Sequence, residues 1–299
     1  MIFSTRVGEL MPIGLHGVIM KLGLITGEIK RDTVEEVFCT IRGYGIDDVQ
    51  FTFESIVNEE LPIYINADLT KRVFQAAKTN GITISAVNGT FNMVHPDPAI
   101  REDGIRRFEV IAKSCKGLDC PMITLCTGSR NTLNKWRWHN DNMLPDAWED
   151  LIRTTERILP VAEDYDVILG VESEAANVVN TPEKARLYLD SMASNKLKII
   201  MDPANLFQIG DAKPEKVRSV LDNAFDLLGS DIVAAHGKDI LSGDGIAFTS
   251  AGRGIIDFDY FIGLLQKTGY AGSIILHGIK SENEFASAIS HVGSITLEQ

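Results

Sequence analysis

Long apolar runs are missing from this 299-residue sequence, and no segment approaches the ~20 residues that a membrane-crossing helix requires. The start, Met1-Ile2-Phe3-Ser4-Thr5-Arg6, lacks the basic stretch and apolar core of a secretory signal, so a soluble cytoplasmic protein is expected. Positive charge is scarce. Lys and Arg number 29 against 41 Asp and Glu, giving a net charge of −12 and a surface that repels phosphate backbones. Neither nucleic acid nor a membrane is therefore an expected partner. The few cysteines (Cys39, Cys115, Cys120, Cys126) lack paired metal spacing and read as free thiols. No Gly-x-Gly-x-x-Gly or Walker-type loop follows any apolar run, which removes the main argument for a nucleotide fold. No Pro/Gly-rich linker divides the chain, so residues 1–299 are expected to form one domain.

Apolar material for a core is ample, with 44% hydrophobic and 23% charged residues. Eight short, mostly β-branched runs read as strands covered on both faces: Ile19–Ile25, Val49–Phe53, Ile82–Val87, Met122–Cys126, Val167–Val171, Leu197–Met201, Ile232–Ala235 and Ser273–Leu276. Helical patterns lie between them. Val34, Val37, Phe38 and Ile41 share one face, as do Val217, Val220, Leu221, Ala224, Leu227 and Leu228. Leu69, Val73, Ala76 and Ala77 precede a stop at Gly81, while Thr181-Pro182 and Asp257 open helices as caps. Pro160 predicts a kink or break in the run from Pro145 to Asp164. Strand and helix alternate at about 30 residues per unit, which requires parallel pairing, and eight units favour a closed (β/α)8 TIM barrel over an open Rossmann-like sheet.

Barrel chemistry sits at the C-terminal strand ends. The last four strands end there with Glu172, Asp202, His236 and His277, one per βα unit. Adjacent strands are ~4.8 Å apart, so these four side chains can converge on one ion. Two carboxylates with two imidazoles suit Mn²⁺, Co²⁺, Zn²⁺ or Fe²⁺ better than Ca²⁺.

The same residues carry a likeness. Val171-Glu172-Ser173-Glu174, Met201-Asp202-Pro203-Ala204-Asn205 and His236-Gly237-Lys238-Asp239 resemble metal-site motifs of the xylose-isomerase-like barrel superfamily. Gly252-Arg253-Gly254-Ile255-Ile256-Asp257 and Gly269-Tyr270-Ala271-Gly272 resemble its approach to the eighth strand. The resemblance spans nearly the whole chain, and the group is described as sugar phosphate isomerases and epimerases. It implies a divalent metal, Mn first with Co, Zn, Mg or Fe as alternatives, and a small carbohydrate that chelates it. Two departures stand out: His277 replaces the glutamate of the ketose epimerases, and Asn205 replaces a frequent histidine. Their paired-glutamate mechanism therefore does not transfer whole.

Around this centre, Glu172 is the expected base, with Glu174, Lys238 and His95 as further catalytic candidates. Asn205, Arg253, Arg130, Trp138 and His139 are expected to contact substrate. Arg253 is flanked by glycines that permit close backbone approach, and the aromatic-rich loop after the fourth strand reads as a lid. The expected activity is isomerisation or epimerisation through an enediolate. A dehydratase on a keto-sugar or inosose and a non-catalytic sugar-binding barrel are the alternatives. A DNA-repair endonuclease on the same barrel, built around several zinc ions, fits poorly with six histidines and a −12 charge. A homo-oligomer remains open.

Overall fold

The short β-branched runs form strands in the computed structural model, which describes residues 20–298. They are β1 (Leu22–Ile25), β2 (Asp48–Phe51), β3 (Thr83–Asn88), β4 (Met122–Cys126), β5 (Ile168–Glu172), β6 (Leu197–Met201), β7 (Ile232–Ile240), β8 (Phe248–Ser250) and β9 (Ile274–Leu276). The expected beginning of the first strand at Ile19 lies outside the described residues. β4 and β6 have the bounds that the sequence predicts. β7 runs on to Ile240 because its far end pairs antiparallel with β8 in a hairpin, Lys238 opposite Ser250.

Parallel pairing runs β1-β2-β3-β4-β5-β6-β7-β9, and β9 returns to β1. The ring is closed, a TIM barrel of eight parallel staves with β9 as the eighth. β8 stands outside it. Two apolar clusters hold the ring. The large one joins strands to surrounding helices; a small one, Ala86, Met122, Ile200 and Ala234, fills the barrel below the site. Gly170 makes room for it, since a Cβ there would meet Ile200 Cγ1 at 2.9 Å.

The helices follow their sequence signals. Thr181 accepts from Lys184 N and Asp257 from Tyr260 N, and Gly81 ends its helix at φ +64°. The expected break at Pro160 does not occur: one helix spans Pro145–Asp164. Pro160 and Glu156, whose carbonyl the proline leaves without its helical partner, both lie on the exposed face, which is open to water. All four cysteines are free thiols, three of them buried. Among the described residues no helix is long and apolar enough to cross a membrane.

Candidate metal centre

Each of β5, β6, β7 and β9 carries, or is followed by, one polar side chain of the expected four. Glu172 closes β5, Asp202 follows β6, His236 lies within β7 and His277 follows β9. One donor atom from each lies within 4.8 Å of all the others. Ligands about 2.1 Å from one ion lie at most about 4.2 Å apart, so small rotamer changes bring this set into a coordination sphere. The donor types and their crowding both fit a divalent transition ion.

Charge balance explains how such a cluster stays folded. Asp202 is wholly buried, with Oδ2 2.8 Å from His277 Nε2 and 3.2 Å from Lys238 Nζ. Its Oδ1 accepts from Ala204 N and Asn205 N. Burial opposes its charge, but Lys238 and the two histidines hold its carboxyl well below the usual range. His236 lies with Nδ1 3.3 Å from Glu172 Oε1 and Nε2 3.0 Å from Gln50 Oε1. Burial works against its cation, yet Glu172 and Asp202 outweigh burial and lift it to about 9. His277 is pushed down by burial and then by the Lys238 cation, so it stays neutral.

A cavity of about 290 Å³ opens above these groups, walled in part by Glu28, Gln50, Trp136, Glu172, His236 and His277. Asn205 donates from Nδ2 to Glu172 Oε1 (2.6 Å) and accepts at Oδ1 from Lys238 Nζ (2.7 Å). Burial raises Glu174 to about 7, reinforced by Glu172 and opposed by Lys238.

A sequence profile described as "Xylose isomerase-like TIM barrel" matches residues 40–293. The chain belongs to the xylose isomerase-like TIM barrel family. Solved structures of similar fold include the E. coli 3-keto-D-glucoside 4-epimerase YcjR at 16% identity and TM-score 0.69, covering 92% of this chain and 99% of that one. A D-tagatose 3-epimerase-like protein aligns at 17% and 0.72, covering 93% and 97%. The IOLI protein with a bound zinc atom aligns at 18% and 0.67, again covering 93% and 97%. At such identities the likeness is one of fold. Comparison of the sequence with curated proteins gave no match.

Several expected contacts of this xylose isomerase-like barrel stand elsewhere. Arg130 is buried in the loop after β4, paired with Asp150 at 2.7 Å and donating to the Val94 carbonyl, so its charge is engaged away from the cavity. His139 is exposed and caps a turn by accepting from Asp141 N. His95 accepts from Asp97 N and lines a neighbouring cavity of about 670 Å³ that shares Glu60, Thr90 and Trp136 with the central one. Arg253 is exposed and pairs with Glu284 at 2.7 Å. The glycines beside it approach Asp239 instead of a ligand: Asp239 Oδ2 accepts from Gly252 N and Gly254 N. A Cβ on Gly254 would meet Asp239 Oδ1 at 2.2 Å. Asn205 reaches the site, but both ends of its amide are bonded to Glu172 and Lys238. Trp138 lines a third cavity beside the centre, and Trp136 borders all three.

Two residues escaped the sequence reading. Gln50 is the lone amide in the fully buried strand β2, a signal that was visible in Val49-Gln50-Phe51. Glu28 follows β1, and its carboxylate accepts from Gly278 N (2.7 Å) and Ile279 N (3.3 Å); burial raises it to about 7 against these bonds. No motif marks Glu28, because its neighbours are assembled by barrel closure.

Proposed function

We propose that this chain is a divalent-metal-dependent isomerase or epimerase of a sugar or sugar derivative, with manganese preferred. The observation that carries the reading is the convergence of Glu172, Asp202, His236 and His277 within 4.8 Å, three of them lining the central cavity. The family supports it, as do neighbours named as sugar epimerases and one with zinc. An ion held by these four residues would act as a Lewis acid toward adjacent sugar oxygens.

The chain's own groups supply the proton chemistry. Glu172 borders the cavity and its carboxylate accepts from Asn205, which supports it as the base that takes a proton from the carbon beside the substrate carbonyl. Electrons from that C–H bond form the enediolate, and the buried Lys238 ammonium, bonded to Asn205 and Asp202, holds those groups beside Glu172. Glu174, two residues beyond Glu172 in the wall of the adjoining cavity, has its carboxyl raised to about 7 by burial and is the candidate to return a proton. The same acid could protonate a leaving hydroxyl, and with histidine in place of a second metal-side glutamate this favours a lyase as the second reading.

The test joins elemental analysis with NMR detection of solvent deuterium entering substrate C–H positions, over a panel of polyols and keto-sugars. About one ion per chain and exchange on at least one sugar are expected. Glu172→Gln should lower that exchange by roughly 10²–10⁴ while some metal stays bound through the remaining three ligands. Full activity in Glu172→Gln, or a wild type without metal and without exchange, rejects the proposal.

A further inference from the structure

Beside the central cavity lies a larger one of about 540 Å³, and Trp136 belongs to the walls of both. Its sides come from three loops: Trp138 after β4, Ile209 after β6, and Ile246 with Phe248 in the hairpin after β7. None of the four candidate ligands lines it, but its inner wall carries a residue two positions from one of them. Glu174 stands there, and the Phe248 ring lies 4.1 Å from Lys238 Nζ, which in turn contacts Asp202. The chamber therefore adjoins the proposed reaction site across Trp136.

Its chemistry is selective. The aromatic and aliphatic faces offer flat apolar surface, while Asn180 and Gln208 add amides at one side. Asn180 donates from Nδ2 to Gln208 Oε1 and Gln208 donates back to the Asn180 carbonyl, which fixes the two amides in the chamber wall. A sugar ring presents this combination of C–H faces and hydroxyl edges. Among the described residues neither chamber is lined by lysine or arginine. The central one instead carries Glu28, Glu54, Glu60 and Glu172. Lys238 is shielded behind Phe248 and bonded to Asn205 and Asp202, so a phosphate ester would meet carboxylates and find no free cation.

We propose that the substrate is an unphosphorylated keto-sugar joined to a second sugar ring, which occupies the chamber bounded by Trp138 and Phe248. This rests on the reading above, which places the reacting ring at the four-residue cluster. At about 290 Å³ the central cavity is at the low end of ligand sites, about 300–1,000 Å³, and the adjoining chamber supplies the space for a second ring.

Manganese-loaded protein would be assayed with D-fructose, D-fructose 6-phosphate and the keto-disaccharides lactulose, maltulose, turanose and palatinose. Deuterium incorporation gives turnover, and quenching of tryptophan fluorescence gives binding. At least one disaccharide should exceed fructose tenfold in kcat/KM, with the phosphate ester slowest. Trp138→Ala should cut the disaccharide-to-fructose ratio at least fivefold. A preference for the phosphate ester, fructose matching every disaccharide, or an unchanged ratio in Trp138→Ala overturns the inference. Disaccharide binding that Trp138→Ala weakens, without exchange on any sugar, upholds the chamber and rejects the proton-transfer function. Absence of both binding and exchange rejects the two together.

Discussion

An amide oxygen accepts but never donates, so the 3.0 Å contact between Gln50 Oε1 and His236 Nε2 places a proton on Nε2. Loss of the other ring proton then leaves the Nδ1 lone pair facing Glu172 and Asp202, the direction an ion requires. Partners that fix a ligand's tautomer are typically worth about 10–100-fold in metal affinity. Gln50→Leu should therefore bind Mn²⁺ about that much more weakly in a chelator competition, with the circular dichroism spectrum unchanged. Equal affinity would remove Gln50 from this role. The contrast with the four candidate ligands shows what a sequence can reveal at this scale. Glu172, Asp202, His236 and His277 were legible because each interrupts or ends an apolar run where a strand meets the barrel mouth. Arg130, His95 and His139 look equally polar in sequence, but loop composition does not determine which way a side chain turns. Arg130 turns inward to acids of the next helix, and the other two are fixed by local backbone bonds.

Elements are joined at the barrel mouth by Asp150, on the helix Pro145–Asp164. Its carboxylate takes Arg130 from the β4 loop, Arg101 from the helix Pro98–Leu118 and Arg153 from its own helix. Burial would raise this acid, but the hydrogen bonds from Arg153 and Arg130 outweigh burial and lower it from the ordinary 3.8. A depressed carboxyl stabilises the fold above its unfolded value, and that stabilisation disappears as pH falls through the lower folded value. Removing one partner of a buried pair costs about 3 kcal/mol or more, because the remaining charges lose their counterion. Asp150→Asn should thus melt several degrees below wild type at pH 7, with the gap closing below about pH 4. A gap that persists in acid would show that packing, not charge, is what was lost. The staves and the helix caps at Gly81, Thr181 and Asp257 were legible from period and capping residues. The antiparallel hairpin of β7 and β8 was not, since Asp239, Gly252 and Gly254 acquire meaning only when the chain doubles back. Likewise, Pro160 is tolerated because the bond it forfeits lies on the wet face.

For the whole molecule, the same excess of acid that repels nucleic acid also loads the barrel mouth. The −12 net charge is a sum over the surface, but Glu28, Glu54, Glu60, Glu172, Glu174 and Asp202 concentrate part of it around the two chambers. Lys238 and the protonated His236 offset this charge when no ion is present, and they leave the cluster with more acids than cations. A divalent cation bound to the folded state alone relieves that imbalance, and its affinity adds to the stability of the whole barrel by mass action. At a free concentration 100 times Kd the gain is about 2.7 kcal/mol, which for a chain of this size is roughly 5 °C in Tm. Mn²⁺ should raise the melting temperature by about that amount, and excess EDTA should return it to the metal-free value. In Asp202→Asn, where the most buried of the four ligands loses its charge, the Mn²⁺-dependent rise should vanish even if the variant itself melts at a different temperature. The comparison is therefore made within each protein, with and without ion. A rise of equal size in Asp202→Asn would place the stabilising ion elsewhere on the acidic surface.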